Sequence, residues 1–354
     1  MPNKCCPNCF GDRGLEKHLF QFLATELAKG DCNYCGDPSD KLVEPSELSD
    51  VFELLVESYE EAEGGVSLVA NFKKDWGLFS HAKMDEAHAK ELLSDILDDG
   101  EIVRKSFRPL TAPDDSKVGD WLELRQELRF KNRYFLDEKI KEERLKLLLE
   151  FLLSAPLEKI WFRARISPDN QPFDAQSMGA PPKGSASHGR ANPAGIPYLY
   201  LASDENTAIS EIRPHTGEFA TVAEFELREG LTIVDLRSPK TLVSPFICGS
   251  SDEIVQLRAD LPFLESLGHE LTRPVLPRSA ATDYVPSQYL CEFIKKKGFD
   301  GVLYTSSVGT GKNLALFDTE AANCIRVSVF SVASVAVTAH EFRTQVRPLE
   351  RVEN

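Results

Sequence analysis

The chain has 354 residues, a formal net charge of −15 and 42% apolar side chains. That length suits two domains with a sizeable core. The charge argues against nonspecific binding to nucleic acid or an anionic membrane surface, while leaving room for a local basic pocket. No run of about 18 apolar residues appears, so no membrane-spanning helix is expected. The N-terminus, "MPNKCCPNCFGDRG", lacks the apolar stretch of a signal peptide, and a cytoplasmic protein is the expectation. Oligomeric state is left open.

Five of the eight cysteines fall within the first 35 residues. Clustered cysteines without an export signal favour metal over disulfides. Cys6-x-x-Cys9 and Cys32-x-x-Cys35 stand about twenty residues apart, the spacing of two knuckles that present four thiolates to one tetrahedral zinc ion. Cys5 is an alternative first ligand. Four thiolates leave no open position, so such a zinc is structural rather than catalytic. Between the knuckles, "LEKHLFQFLATELAKG" reads as an amphipathic helix with Leu19, Phe22, Leu23 and Leu27 on one stripe and Gly30 as its C-cap.

Three further helices are expected, over 45–63, 85–100 and 138–156. The last carries the stripe Leu145, Leu148, Leu149 and Leu152 and stops at Pro156. The texture then changes. A strand "EKIWFRARI" leads into a stretch rich in Pro, Gly, Ser and Ala, and short strands follow: "YLYLA", "ATVAEFEL", "LTIVDL", "DGVLYT", "NLALFD" and "CIRVSVFSVASVAV". Their alternation predicts a mixed or antiparallel sheet. Two helices, "DENTAISEI" and "SQYLCEFIKKKG", interrupt it. The expected organisation is a mostly helical zinc-bearing module over 1–156, an α+β domain over 157–340 and a tail over 341–354.

Three segments of the second half carry chemistry. Arg190 stands in "GRANPAGIPYLYLAS", Glu211 in "TAISEIRPH", and Ser306 in "GFDGVLYTSSVGTGKNLALF". "SSVGTGKN" is not a phosphate loop, because the first glycine of that motif is missing and a strand follows it. No GxGxxG is present, so a Rossmann dinucleotide site is unsupported. The order Arg, Glu, Ser, with a Gly-Arg-Ala-Asn-Pro loop, an Ala-x-x-Glu-x-Arg helix and a Gly-x-Asp-Gly-x-x-Tyr-x-Ser segment followed by Asn-Leu, resembles the RES family of NAD+-degrading toxins. Arg163 in "WFRAR" matches a further arginine of that family, with Arg165 as second choice, and Tyr200 sits where the family keeps an aromatic.

The resemblance covers about 158 to 320 and implies a fold like that of ADP-ribosyltransferases, with NAD+ as substrate. It implies catalytic roles for Glu211, Arg190 and Ser306, and cofactor contacts from Arg163, Arg165, Arg190, Tyr200 and Asn313. The first half is similar to the cysteine-bearing module fused to some RES domains. There Arg13 and His18 have the spacing of HEPN ribonucleases, but Gly14 interrupts it. Shorter members pair with a separate helix-turn-helix antitoxin, so an antitoxin or immunity protein is the partner the resemblance suggests.

The chemistry agrees with the match. An arginine fork binds pyrophosphate oxygens in a bidentate way. Breaking the nicotinamide–ribose bond develops positive charge on the sugar, which a carboxylate such as Glu211 stabilises. His188 and His215 flank these segments. Phosphate, water and a macromolecule remain open as acceptors, the last making the protein an ADP-ribosyltransferase. A rival reading makes the first module a sensor or interaction module and the second half inactive or regulatory.

Overall fold

A computed structural model describes residues 2–20, 28–113, 117–137 and 140–336. The first part opens on a 3-10 turn at Pro7–Cys9 and on strands β1 (Ala28–Asp31) and β2 (Pro38–Leu42), which pair antiparallel. Helices α1 (Ser49–Glu57), α2 (Leu68–Trp76) and α3 (Glu86–Leu97) follow, with β3 (Tyr59–Val66) and β4 (Phe107–Pro109) forming a second antiparallel pair. Helices α4 (Trp121–Phe130) and α5 (Glu142–Phe151) complete it. Side chains supply the caps: Ser67 accepts from the Ala70 amide, Asp85 from His88, and Asp120 from Leu122 and Glu123. Among the described residues no helix is long and apolar enough to cross a membrane.

Three expectations are corrected here. The helix expected over 45–63 ends at Glu57, and Tyr59 and Ala62 lie in β3. Arg258 donates to the Ser58 carbonyl at 3.0 Å and to the Leu110 carbonyl at 2.8 Å, which takes up the helix end and holds the turn into β3. Gly65 then lies against the Phe107 backbone, where a Cβ would approach to 2.5 Å. The first part is therefore less helical than its sequence suggests. Gly30 is not a helix cap but a residue of β1. Of the helix proposed between the knuckles, Phe22, Leu23 and Leu27 lie outside the described residues, as do the His18 side chain and the tail over 341–354.

The second part is a seven-stranded sheet: β5 (Ile160–Ile166), β6 (Leu199–Ala202), β7 (Phe219–Leu227), β8 (Ile233–Asp235), β9 (Gly301–Thr305), β10 (Lys312–Leu316) and β11 (Ala322–Ser331). The order is β11-β7-β5-β6-β10-β9-β8, antiparallel throughout except for the parallel pair β8 and β9. A short helix, α6 (Glu205–Glu211), crosses one face. Two longer ones, α7 (Ser251–Thr272) and α8 (Val285–Lys296), cover the other end. The mixed helix and sheet content matches the expected α+β class.

Helix α7 is a third element in a region expected to hold two helices. It buries Ile254, Val255, Leu257, Leu261, Phe263, Leu264, Leu267 and Leu271, against the first part on one side and the sheet on the other. A helix buried nearly all round shows no apolar stripe, and Pro262 inside it reads as a breaker. One buried cluster runs from Phe10 and Phe52 in the first part through Leu264 to Tyr304 and Ala315 in the sheet.

Candidate active site at the seam of the sheet

Strands β5 and β6 are joined by one register pair, Phe162↔Ala202, whereas β5 pairs with β7 along its length. The sheet therefore parts at this seam. A cavity of about 250 Å³ opens there under α6, lined by Phe162, Arg163, Tyr200, Glu211, Tyr304 and Asn313 among others. Its apolar walls are Ala202, Ala208 and Ile212, which come from the strand and helix that frame it.

Glu211 is placed by the N-terminal end of its helix. Asp204 caps α6, accepting from the Thr207 amide at 2.8 Å and from the hydroxyls of Ser203 and Thr207 at 2.9 and 2.7 Å. The β9–β10 loop packs on this cap. At Gly311 a Cβ would lie 2.4 Å from Asp204 Oδ2, Ser203 Oγ and Thr207 Oγ1, so only glycine fits. That packing brings Ser306 and Asn313 to Glu211. Ser306 Oγ donates to Glu211 Oε1 at 2.7 Å, and Asn313 Nδ2 donates to the same oxygen at 2.5 Å. Neither bond uses Oε2. Ser306 Oγ also accepts from the amides of Val308 and Gly309 at 3.2 and 2.8 Å, which fixes its rotamer.

Arg163 reaches the cavity through the parted strands. Its Nη1 donates to the Tyr200 carbonyl at 3.2 Å, and its Nε is buried with no partner. Burial, with Arg165 nearby, pulls its pKa down to about 10. Arg165 stands apart from the cavity, its Nη1 on the Ser177 carbonyl at 2.5 Å and its guanidinium 4.0 Å from the Phe173 ring centre. Burial pushes the Tyr200 and Tyr304 phenols up, so both stay neutral.

Arg190 lies on the neighbouring flank. Its Nη1 donates to the Arg273 carbonyl at 2.6 Å and its Nη2 to Ser307 Oγ at 3.2 Å, one residue from Ser306. Among the described residues no carboxylate pairs with Arg163 or Arg190. The loop that carries Arg190 is tied from inside. Tyr200 OH accepts from the amides of Ala191 and Asn192 and donates to Asn192 Oδ1 at 2.8 Å. Asn192 Nδ2 donates to the carbonyls of Ser187, Pro193 and Ile196. His188 and His215 are both exposed and line no part of the cavity.

The structure thus gathers Arg163, Tyr200, Glu211 and Asn313 around one cavity, bonds Ser306 to Glu211, sets Arg190 beside it and leaves Arg165 outside. Sequence reasoning assigned no role to Tyr304 or Asn192. Both were in view, one inside the Tyr-x-Ser segment and the other two residues after Arg190.

A second cluster lies in the first part. Cys6, Cys9, Cys32 and Cys35 are all buried, with their sulfurs within 4.8 Å of one another. Sγ–Sγ distances are 3.9, 3.5 and 3.4 Å for Cys6–Cys9, Cys6–Cys35 and Cys9–Cys32. One pair sits on the Pro7–Cys9 turn and the other at the β1–β2 tip, where Gly36 takes a φ of +70°. Cys5 is not in the group; its backbone pairs with Val43. Asp37 and His81 beside Cys35 pair with each other at 3.0 Å, and Asp37 also with Lys83.

The parted sheet, with a carboxylate held by a serine and an asparagine in a cavity it shares with a half-buried arginine, defines an α+β domain with a polar ligand cavity. The family model described as the RES domain matches residues 160–340, and the chain belongs to that family. Among solved structures, the M. tuberculosis MbcT–MbcA toxin–antitoxin complex is similar at 14% identity, with 54% of this chain and 94% of that chain covered and a TM-score of 0.32. No curated protein matches the chain.

Proposed function

We propose that this chain cleaves the nicotinamide–ribose bond of NAD+ and acts as a toxin or defence effector, with an ADP-ribosyltransferase-like fold. The observation that carries the reading is the double anchorage of Glu211. Ser306 and Asn313 both hold Oε1, on the wall of a cavity also lined by Arg163, a half-buried arginine whose Nε is buried with no partner. A cation buried without a counter-charge is costly, and an anionic ligand offsets that cost. Arg163 and Arg190 fit the pyrophosphate of NAD+, because neither is committed to a carboxylate. Tyr200 and Tyr304 supply aromatic walls for a ring.

Glu211 Oε2 is then the free oxygen for the ribose. As the bond to nicotinamide breaks, positive charge grows on the sugar, and a fixed carboxylate stabilises that state more than the ground state. Phosphate or water captures the sugar, giving ADP-ribose 1″-phosphate or ADP-ribose with free nicotinamide. Proton NMR of NAD+ with the purified chain, with and without phosphate, tests this. Release of nicotinamide with either product supports it. A labelled macromolecule without free ADP-ribose assigns transfer instead, and intact NAD+ under every condition overturns the reading.

The cysteine cluster fits a structural zinc. Zn–S bonds of about 2.3 Å set the edge of a tetrahedron near 3.8 Å, and the observed sulfur spacings of 3.4 to 3.9 Å lie close to it. Cys6, Cys9, Cys32 and Cys35 would hold the ion as thiolates, and the ion would tie the N-terminal turn to the β1–β2 hairpin.

A further inference from the structure

Glu270, near the end of α7, is 5% exposed. Its Oε2 accepts from Arg125 Nε at 2.8 Å and from Trp121 Nε1 at 3.4 Å, both on α4 of the first part. Its Oε1 accepts from Arg273 Nε at 2.8 Å. Arg273 Nη2 continues to the Asp283 carbonyl at 2.5 Å, and the Asp283 carboxylate pairs with Arg129, again on α4. The network ends at the candidate site, because the Arg273 backbone carbonyl is the acceptor for Arg190 Nη1 at 2.6 Å. Tyr284, next after Asp283, puts its ring 5.6 Å from the Arg190 guanidinium carbon. Ser287 Oγ, one turn on, donates to the Arg190 carbonyl at 2.6 Å.

A guanidinium binds an anion well only when its fork is already fixed. Arg190 has two fixed points, the Arg273 carbonyl and Ser307. The first is held in place by charges that reach it from α4. Arg125, Arg129, Arg273 and Arg190 bring four guanidiniums, and the pairs involve two carboxylates, Glu270 and Asp283. Arg190 is the guanidinium in this set that pairs with neither.

We propose that Glu270, clamped by Arg125 and Trp121 of the first part, is a positioning residue for Arg190, so that the N-terminal module completes the anion site of the RES domain. It rests on the reading of Arg190 as an NAD+ ligand, but the prop itself is measurable without NAD+. Glu270→Gln in the full chain keeps the shape and removes the charge. Hydrogen exchange at the Ala191 and Asn192 amides, both bonded to Tyr200 OH, then speeds up roughly tenfold or more, while the β7–β11 ladder is unchanged. The KM for NAD+ rises by a similar factor with a smaller change in kcat, and Glu270→Gln adds nothing further once Arg190 is alanine. Should Glu270→Gln fail to fold, Arg125→Lys carries the same test, keeping the charge but losing the fork. Unchanged loop exchange overturns the proposal. So does an equal loss from Glu270→Gln with and without Arg190, which marks a general loss of packing. If the wild type consumes no NAD+, the functional reading falls, and the exchange rates alone decide whether the prop exists.

Discussion

Arg163 carries the energetic conflict of the site. Its Nε is buried without a partner, and its pKa falls to about 10 because burial disfavours the charged form. It stays charged at neutral pH, so the folded chain holds an uncompensated cation. Arg163→Met is expected to raise stability by about 1–3 kcal/mol in denaturant unfolding at pH 7 and to abolish NAD+ binding. The depressed value fixes the sign: the gain is full below about pH 10 and shrinks above it, where the folded wild type sheds the proton before the unfolded chain does. A variant no more stable than wild type, with binding intact, contradicts this account of Arg163. At Arg190, lysine cannot hold both the Arg273 carbonyl and Ser307, so Arg190→Lys should bind NAD+ almost as poorly as Arg190→Ala. Titration of both variants with NAD+ checks it. Glu211, Ser306 and Asn313 were legible in the sequence through their motifs. The motif put Arg163 ahead of Arg165, but their spacing alone could not separate them. Residues two apart share a face of a strand, and only the parting of β5 from β6, a long-range feature, separates them.

The Arg190 loop works as an element because Asn192 and Tyr200 tie it from inside while Ser287 and the Arg273 carbonyl hold it from outside. At Gly189 a Cβ would lie 2.4 Å from Asn192 Oδ1 and 2.7 Å from Tyr200 OH. Gly189→Ala must therefore break the Asn192–Tyr200 tie. The expected result is a rise of roughly tenfold in KM for NAD+ with a fall in Tm, since Ala191 and Tyr198 of the loop belong to the buried core. Unchanged KM would separate the loop from the ligand. The strands β5 to β11 were readable from their alternation, and α6 and α8 as the two helices that interrupt them. The end of the helix at Glu57 was not, because the group that satisfies it is an arginine two hundred residues away. Helix α7 escaped for the opposite reason: it is buried on too many sides to show a period.

At the scale of the molecule, the first part and the sheet share one buried cluster, and α7 lies between them. Cys6, Cys9, Cys32 and Cys35 belong to the same buried cluster. Protein purified without chelator should carry about one zinc per chain, and Cys32→Ser with Cys35→Ser should lower Tm, with activity falling as a consequence. Metal analysis that finds none contradicts the assignment. The central claim is that Glu211 acts on a cationic sugar rather than merely binding NAD+. Glu211→Gln keeps the size and the reach to Ser306 and Asn313 but removes the charge. Its kcat for nicotinamide release, measured beside its Kd for NAD+, is the direct test. The account predicts a fall in kcat of roughly a hundredfold or more with Kd little changed. A folded, zinc-loaded Gln variant that releases nicotinamide at near the wild-type rate would contradict it.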